Sequence, residues 1–318
     1  MFHFDNTINF QNKEIDVFTI GELLVDMISD DYDDNFNCNH FTKYFGGSPA
    51  NIAMNIKRLG GNPLILASVG NDPLGSYLIS NLKNNNIDTS YINMVNYSTS
   101  MVLVSKSKTT PVPIFYRGAD YNIEYNEKIE STLKNCKIVH FSCWPISQSS
   151  SRHAIEQIIE QAKKSNTLIG FDPNYHEMIW EKSHDGINYI KNLISKVDII
   201  KPSEVDAERI FGPDTPRNQV QKFIDLGAKL VIMTLGKDGA IVTNGIETIE
   251  FKTLAKSIID TTGAGDAFWS GFYTAITKNY TLKDALNIGF ATSAYKLQYV
   301  GAIANLPTIK DIKHIYNI

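Results

Sequence analysis

Short apolar runs rich in β-branched residues recur along the chain. They alternate with segments whose apolar positions fall every three or four residues. The runs lie at 17–20, 64–69, 138–141, 167–171, 199–200 and 229–234, and helical periodicity marks 50–59, 76–83, 152–163 and 186–194. Strands that are apolar at consecutive positions need cover on both faces, as in a parallel sheet flanked by helices. The pattern predicts a doubly wound, mostly parallel α/β domain over residues 16–318, after a polar N-terminal extension, 1–15. Two helical stretches, 264–277 and 282–300, occupy the C-terminal third.

Two regions break the alternation. Strand-like runs at 99–106 and 112–116 flank a Ser107-Lys-Thr-Thr-Pro111 turn, which is a hairpin signal. Residues 23–28 and 41–45 carry β-forming side chains around an acidic loop. Antiparallel pieces of this kind predict a small β lid, formed by about 23–45 and 97–120, on the one main domain. No internal repeat or low-complexity tract interrupts the chain.

Composition narrows the function classes. The 318 residues are 43% hydrophobic and 20% charged, as in soluble globular proteins. With 30 basic against 34 acidic residues, the formal charge is -4, without the basic excess of a nucleic-acid binder. No apolar run approaches the ~20 residues that span a bilayer. Residues 1–15 lack the basic-then-apolar layout of a signal peptide, so a cytoplasmic protein without membrane contact is expected. Three cysteines (Cys38, Cys136, Cys143) with no CxxC pair argue against a disulfide framework and a zinc site. Asp31-Tyr-Asp33-Asp-Asn35 opens like a calcium loop, but Phe36 and Thr42 stand where it needs Gly and Glu. The seven histidines form no HExxH motif, and neither a Walker A motif nor GxGxxG follows the first strand.

Four segments can carry chemistry. In Asp260-Thr-Thr-Gly263-Ala264-Gly265-Asp266, small residues leave backbone N–H groups bare at a helix start, a ready anion site. A carboxylate at Asp266 is compatible with the helix dipole alone; beside phosphates it makes sense as the acceptor of a proton from an attacking hydroxyl. In Phe45-Gly46-Gly47-Ser48-Pro49-Ala50-Asn51, Ser48 suits an N-cap and Pro49 the first helical position. That leaves Gly46, Gly47 and Asn51 to hydrogen-bond a polyol. Ala50 in place of the last glycine excludes a GxSxG nucleophile elbow. Asp26 follows the first strand, where ligands of open α/β sheets bind, and Arg117 ends a lid strand. A solvated loop Asp and a surface ion pair are the plain readings of those two.

Taken in order, the segments Gly21-Glu22-Leu-Leu-Val-Asp26, Gly46-Gly47-Ser-Pro-Ala-Asn51, Asp172-Pro173-Asn174, Lys201-Pro202-Ser203-Glu204, Thr234-Leu-Gly236-Lys237-Asp238-Gly239 and Asp260 to Asp266 resemble the ribokinase or PfkB-type carbohydrate kinase family. The resemblance spans residues 16–310 and implies a ribokinase-like fold. It implies Asp266 as general base and Gly263, Ala264 and Gly265 as the anion hole for the transferring phosphoryl group. Asp26, Gly46, Gly47 and Asn51 would bind the sugar, and Arg117 would be a contact from the lid. Asn174, Ser203, Thr234, Gly236 and Gly239 would line the ATP site. Mg2+ would bridge the phosphates, and K+ would sit near Asp260 and Thr262. A homodimer through the lid is also implied.

Phe115-Tyr116-Arg117-Gly-Ala-Asp120, with Phe171-Asp172-Pro-Asn174 and Trp180, is more similar to fructokinases than to ribokinases or adenosine kinases. The expected reaction is therefore transfer of the ATP γ-phosphoryl group to D-fructose, giving fructose 6-phosphate. A 2-keto-3-deoxygluconate kinase and a non-catalytic sugar or nucleotide sensor are the alternatives. His176 replaces an Arg common in the family, Ser203-Glu204-Val205-Asp206 replaces its Asn-x-x-Glu segment, and Phe290 stands where a smaller polar residue is usual.

Overall fold

The computed structural model describes residues 2–34, 36–107, 113–181 and 185–318. Asn35 of the acidic loop lies outside the described residues, as do 108–112 of the expected hairpin. Among the described residues thirteen strands form two sheets. They are β1 Ile15–Ile20, β2 Leu24–Tyr32, β3 Phe41–Gly46, β4 Pro63–Gly70, β5 Ile92–Val95, β6 Met101–Lys106, β7 Pro113–Tyr116, β8 Cys136–Ser142, β9 Leu168–Asp172, β10 Ile199–Ile200, β11 Leu230–Thr234, β12 Ala240–Thr243 and β13 Thr248–Phe251.

The large sheet runs β13-β12-β11-β10-β9-β8-β1-β4-β5, parallel from β11 to β5 and antiparallel only at the β12 and β13 edge. Its central strands explain the continuous apolar runs. Phe18 and Ile20 of β1 face one core with Val139 and Phe141, whereas Val17 faces the opposite core with Ile138 and Ile199. The parallel α/β layout expected from the pattern is thus the observed one. The edge strands β5 and β13 are short and only partly buried, and β12 is a short, fully buried strand; none has a run long enough to single out.

The small sheet runs β3-β2-β6-β7. Asp26 stands opposite Tyr44 and Val102 on one face. On the other, Val25 packs with Leu78 and Leu82 of the helix Pro73–Asn84. Side-chain alternation across the pleat thus turns Asp26 away from the core that anchors the sheet. The N-terminal segment is held down rather than trailing. Phe4 is buried, and the backbone carbonyls of Phe4 and Asn6 accept the N–H groups of Lys283 and Leu282 at 2.8 and 2.9 Å.

Two helix expectations need correction. The helix read at 50–59 spans Ser48–Arg58 with Gly47 as its N-cap, so Ser48 is the first helical residue and does not cap. The stretch read as 282–300 ends at Lys296; Tyr299 and Val300 are exposed, and an apolar pattern without a buried face does not extend a helix. A further helix, Ile309–Tyr316, follows.

The helices Ala264–Thr277 and Leu282–Lys296 pack face to face through glycines. A side chain at Gly271 would run into the Thr292 hydroxyl and approach the Ile288 carbonyl to 3.0 Å. Gly271→Ala should therefore lower stability by about 1–3 kcal/mol through overpacking, although helix propensity alone favours Ala. Urea unfolding measures this; a gain in stability would show that the two helices have room to spare.

Candidate active site

The helix start Ala264–Thr277 is the centre of the site. Gly263 caps it in the left-handed conformation, φ 74°, with no side-chain cap. A side chain there would strike the backbone of Ala302, so the turn requires glycine. The first-turn N–H groups have no partner within the helix; that of Ala264 donates to the Thr261 carbonyl at 3.2 Å in the turn, and the small residues 263–265 leave the helix start open to an anion. Asp266 lies in that first turn, where the dipole favours its charge.

A second helix start faces it. Gly47, φ 110°, caps Ser48–Arg58, and a side chain at 47 would collide with the Glu22 carbonyl. Because Gly47 takes the capping position, the Ser48 hydroxyl is released and donates to Asp266 Oδ1 at 2.6 Å. One turn on, the Asn51 amide donates to Asp266 Oδ2 at 2.9 Å. Both oxygens of the buried carboxylate are thereby oriented. Burial raises the Asp266 pKa while the Ser48 and Asn51 hydrogen bonds lower it, and the net shift is upward. Ser48 is a site residue that the sequence reading spent on a cap; the Gly-Gly pair before it was the available signal.

Asp26 completes the acidic pair. Its carboxylate occupies the space that a side chain at Gly46 would need. Burial, with the Asp266 charge second, pushes it up to about 6. Behind both lies Glu22, whose Oε1 accepts the Ser48 N–H at 3.0 Å while Oε2 has no partner in the structure. Burial pushes Glu22 up to about 8, so it is mostly neutral at pH 7.

A lysine approaches the turn at Gly265. Lys201, at the end of β10, pairs with Asp172 Oδ2 at 3.0 Å, and Trp269 Nε1 donates to the same oxygen at 2.7 Å. The Lys201 ammonium lies 3.4 Å from where a side chain on Gly265 would begin. Its role was not read from the sequence, although the Lys-Pro pair at a strand end was the signal.

The other expected residues fall at the carboxyl ends of β9, β10 and β11. Asn174 is exposed, φ 36°. Ser203 caps the helix Glu204–Phe211 in a reciprocal box with Asp206, whose other oxygen accepts the Tyr175 N–H at 2.7 Å. Thr234 bridges to Ser203, and the Leu235 N–H donates to the Gly239 carbonyl at 2.8 Å, closing the turn through Gly236. His176 packs edge-on against Phe115, and burial followed by the Arg209 charge lowers its pKa.

Arg117 stands apart. Its guanidinium donates to Asp120 Oδ2 at 2.9 and 2.5 Å, to Ser147 Oγ at 2.7 Å, and to the carbonyls of Ile179 and Trp144 at 2.8 and 3.4 Å. With all five N–H groups on protein acceptors, it has none left for a sugar hydroxyl in this conformation.

Among the described residues no three His, Cys, Asp or Glu side chains form a metal cluster. The turn at Asp260 does not fit K+. Both Asp260 carboxylate oxygens already accept N–H groups, from Thr262 at 2.9 Å and Gly301 at 2.7 Å, and the Asp260 carbonyl accepts the Lys296 ammonium at 2.9 Å. Two grooves, of about 660 and 780 Å³, lie one under the N-terminal segment and one beside β13, the second lined in part by Leu235 and Asp238 of the turn at Gly236.

The raised Glu22 pKa has a sign that can be checked. Its contribution to stability is full below the ordinary value of 4.5 and is lost as pH rises through about 8. Gln cannot ionise, so Glu22→Gln should gain in melting temperature relative to wild type between about pH 5 and about pH 9. A difference independent of pH would mean that Glu22 is not held neutral.

The pattern of the pfkB family carbohydrate kinases matches residues 14–309. The ATP-dependent 6-phosphofructokinase of Thermoanaerobacterium thermosaccharolyticum is 62% identical over 318 residues, covering 100% of this chain and 99% of that protein. The 5-dehydro-2-deoxygluconokinase of Geobacillus kaustophilus is 30% identical, over 95% of this chain and 94% of its own length. Among solved structures, Halothermothrix orenii fructokinase superposes with a TM-score of 0.79 at 36% identity, covering 91% of this chain and 100% of that one. The chain belongs to the pfkB family of carbohydrate kinases: it has the ribokinase-like α/β fold and is an ATP-dependent sugar kinase.

Proposed function

We propose that the enzyme transfers the γ-phosphoryl group of ATP to a primary hydroxyl of a phosphorylated ketohexose, fructose 6-phosphate, giving the 1,6-bisphosphate. The observation that carries the choice of sugar is the 62% identity, over the whole chain, to a 6-phosphofructokinase. The fructokinase reading of the lid sequence, with D-fructose as acceptor and fructose 6-phosphate as product, is the second reading. It is supported by the 36% identity to H. orenii fructokinase. The 27–30% identity to 5-dehydro-2-deoxygluconokinases gives the keto-deoxy acids less support.

In this reading the sugar lies between Asp26, the Gly46-Gly47 backbone and Asn51. Its reacting hydroxyl gives its proton to Asp266 as the oxygen attacks the γ-phosphorus and the bond to the β-phosphate oxygen breaks. The N–H groups at Gly263, Ala264 and Gly265, together with Lys201, take up the charge on the transferring group. A carboxylate whose pKa is raised toward neutrality is a better proton acceptor than an ordinary one, provided that it stays ionised. Mg2+, when bound, neutralises the phosphates, which this carboxylate-rich cleft would otherwise repel. Asn174, Ser203, Thr234, Gly236 and Gly239 would form the nucleotide side. The small sheet acts as the lid that excludes water, and its exposed Tyr32, Ile114 and Tyr116 suit pairing with a second lid. Arg117 serves this site by fixing Asp120 and Trp144 and makes no sugar contact.

Asp266→Asn should lower kcat by about 10²- to 10⁴-fold while the binding constants for ATP and sugar stay measurable and near wild type. Equal loss of rate and binding would make Asp266 a structural residue. A coupled ADP-release assay over fructose 6-phosphate, fructose and 2-keto-3-deoxygluconate decides the acceptor. Preference for free fructose would restore the second reading, and saturable binding without product would identify a sensor.

A further inference from the structure

The helix Leu282–Lys296 ends in a lysine with no solvent exposure. A lysine at a helix C-terminus is ordinarily solvated, its ammonium in water and its stem along the surface. Here the ammonium is turned inward and donates to the Asp260 carbonyl at 2.9 Å. Burying an ammonium is costly, and an apolar side chain of similar volume would serve packing alone as well or better. The position therefore calls for a reason beyond packing.

That reason lies in what the ammonium touches. The turn 260–263 leads directly into the Gly263 cap and the first-turn N–H groups of the phosphoryl-binding helix, and its Thr261 carbonyl accepts the Ala264 N–H at 3.2 Å. It is laid against the end of the Lys296 helix by the Ile259 N–H on the Leu297 carbonyl at 2.8 Å. The Gly301 and Thr262 N–H groups fix the Asp260 carboxylate, and Lys296 fixes the Asp260 carbonyl. Burial lowers the Lys296 pKa, while the Asp260 and Asp266 charges raise it, so the ammonium feels the base carboxylate itself. A bare alkali cation at this turn would need a cage of six or more oxygens. Each of the three Asp260 oxygens already accepts a hydrogen bond from the protein.

We propose that Lys296 is a built-in cation: its ammonium holds the 260–263 turn and adds positive charge behind the phosphoryl-binding N–H groups, so that turnover needs no K+. Lys296 is a positioning residue, acting on the transferring group through the turn. The inference rests on the reading of Gly263, Ala264 and Gly265 as the phosphoryl-binding turn.

The test is the rate of the wild-type enzyme at saturating Mg·ATP and sugar, in tetramethylammonium, Na+ and K+ buffers of equal ionic strength. The rate should change by less than about twofold between them, because no exchangeable cation contributes to transition-state stabilisation. Lys296→Met should lose about tenfold or more in kcat with the sugar KM little changed, and K+ or NH4+ should restore part of the loss. Lys296→Arg should stay nearer wild type. Activation of the wild type by K+ of more than about fivefold would overturn the proposal, as would a Met variant that keeps full kcat in K+-free buffer. Should the Met variant not fold, the wild-type series decides alone. Absence of any kinase activity would count against the proposed function; activity with K+ dependence would count only against Lys296.

Discussion

The structure is organised around one constraint, the need to keep a charged carboxylate inside a closed protein and pointed at a substrate. Asp266 meets it through two helix N-termini that converge on it. Its own helix supplies a dipole, and the facing helix supplies the Ser48 hydroxyl and the Asn51 amide. The glycines at 47 and 263 follow from the same requirement. Each caps a helix in a backbone conformation with φ above zero and leaves no room for a side chain.

Charge balance around that carboxylate sets the rest of the site. Glu22, Asp26 and Asp266 are crowded together, and burial pushes all three upward. Permanent positive charge is supplied from the flanks: Lys201 beside Gly265, Lys296 beneath the turn before Gly263, and Arg117 neutralising Asp120. A cleft so rich in carboxylates accepts hydroxyl groups readily, whereas a phosphate there needs positive charge beside it.

Much of this was legible in the sequence. The continuous apolar runs of β1, β4, β8 and β11 could only belong to a sheet covered on both sides. The small residues before Asp266 pointed to an anion, although glycines that merely turn the chain explained them equally well taken alone. What was not legible depended on tertiary placement. Ser48 read as a cap because local rules favour Ser before Pro, but the positive φ of Gly47 moved the cap back one residue. Lys296 was not singled out, because nothing local shows that its ammonium is turned inward. Arg117 read as a surface ion pair or a lid contact to the sugar because its four acceptor atoms come from three separate segments, at 120, 144–147 and 179. The edge strands were missed because a short strand is defined by its neighbour more than by its own residues.

The central claim is that the Ser48 hydroxyl tunes a carboxylate that takes the proton during transfer. The direct measurement is the acid limb of the pH profile of kcat for Ser48→Ala against wild type. The Ser48 hydrogen bond lowers the Asp266 pKa, so its removal should move the midpoint of that limb to higher pH, with the rate above the limb reduced less than by loss of Asp266 itself. An acid limb that stays in place would contradict the account, because the titrating group would then not be the carboxylate that Ser48 holds.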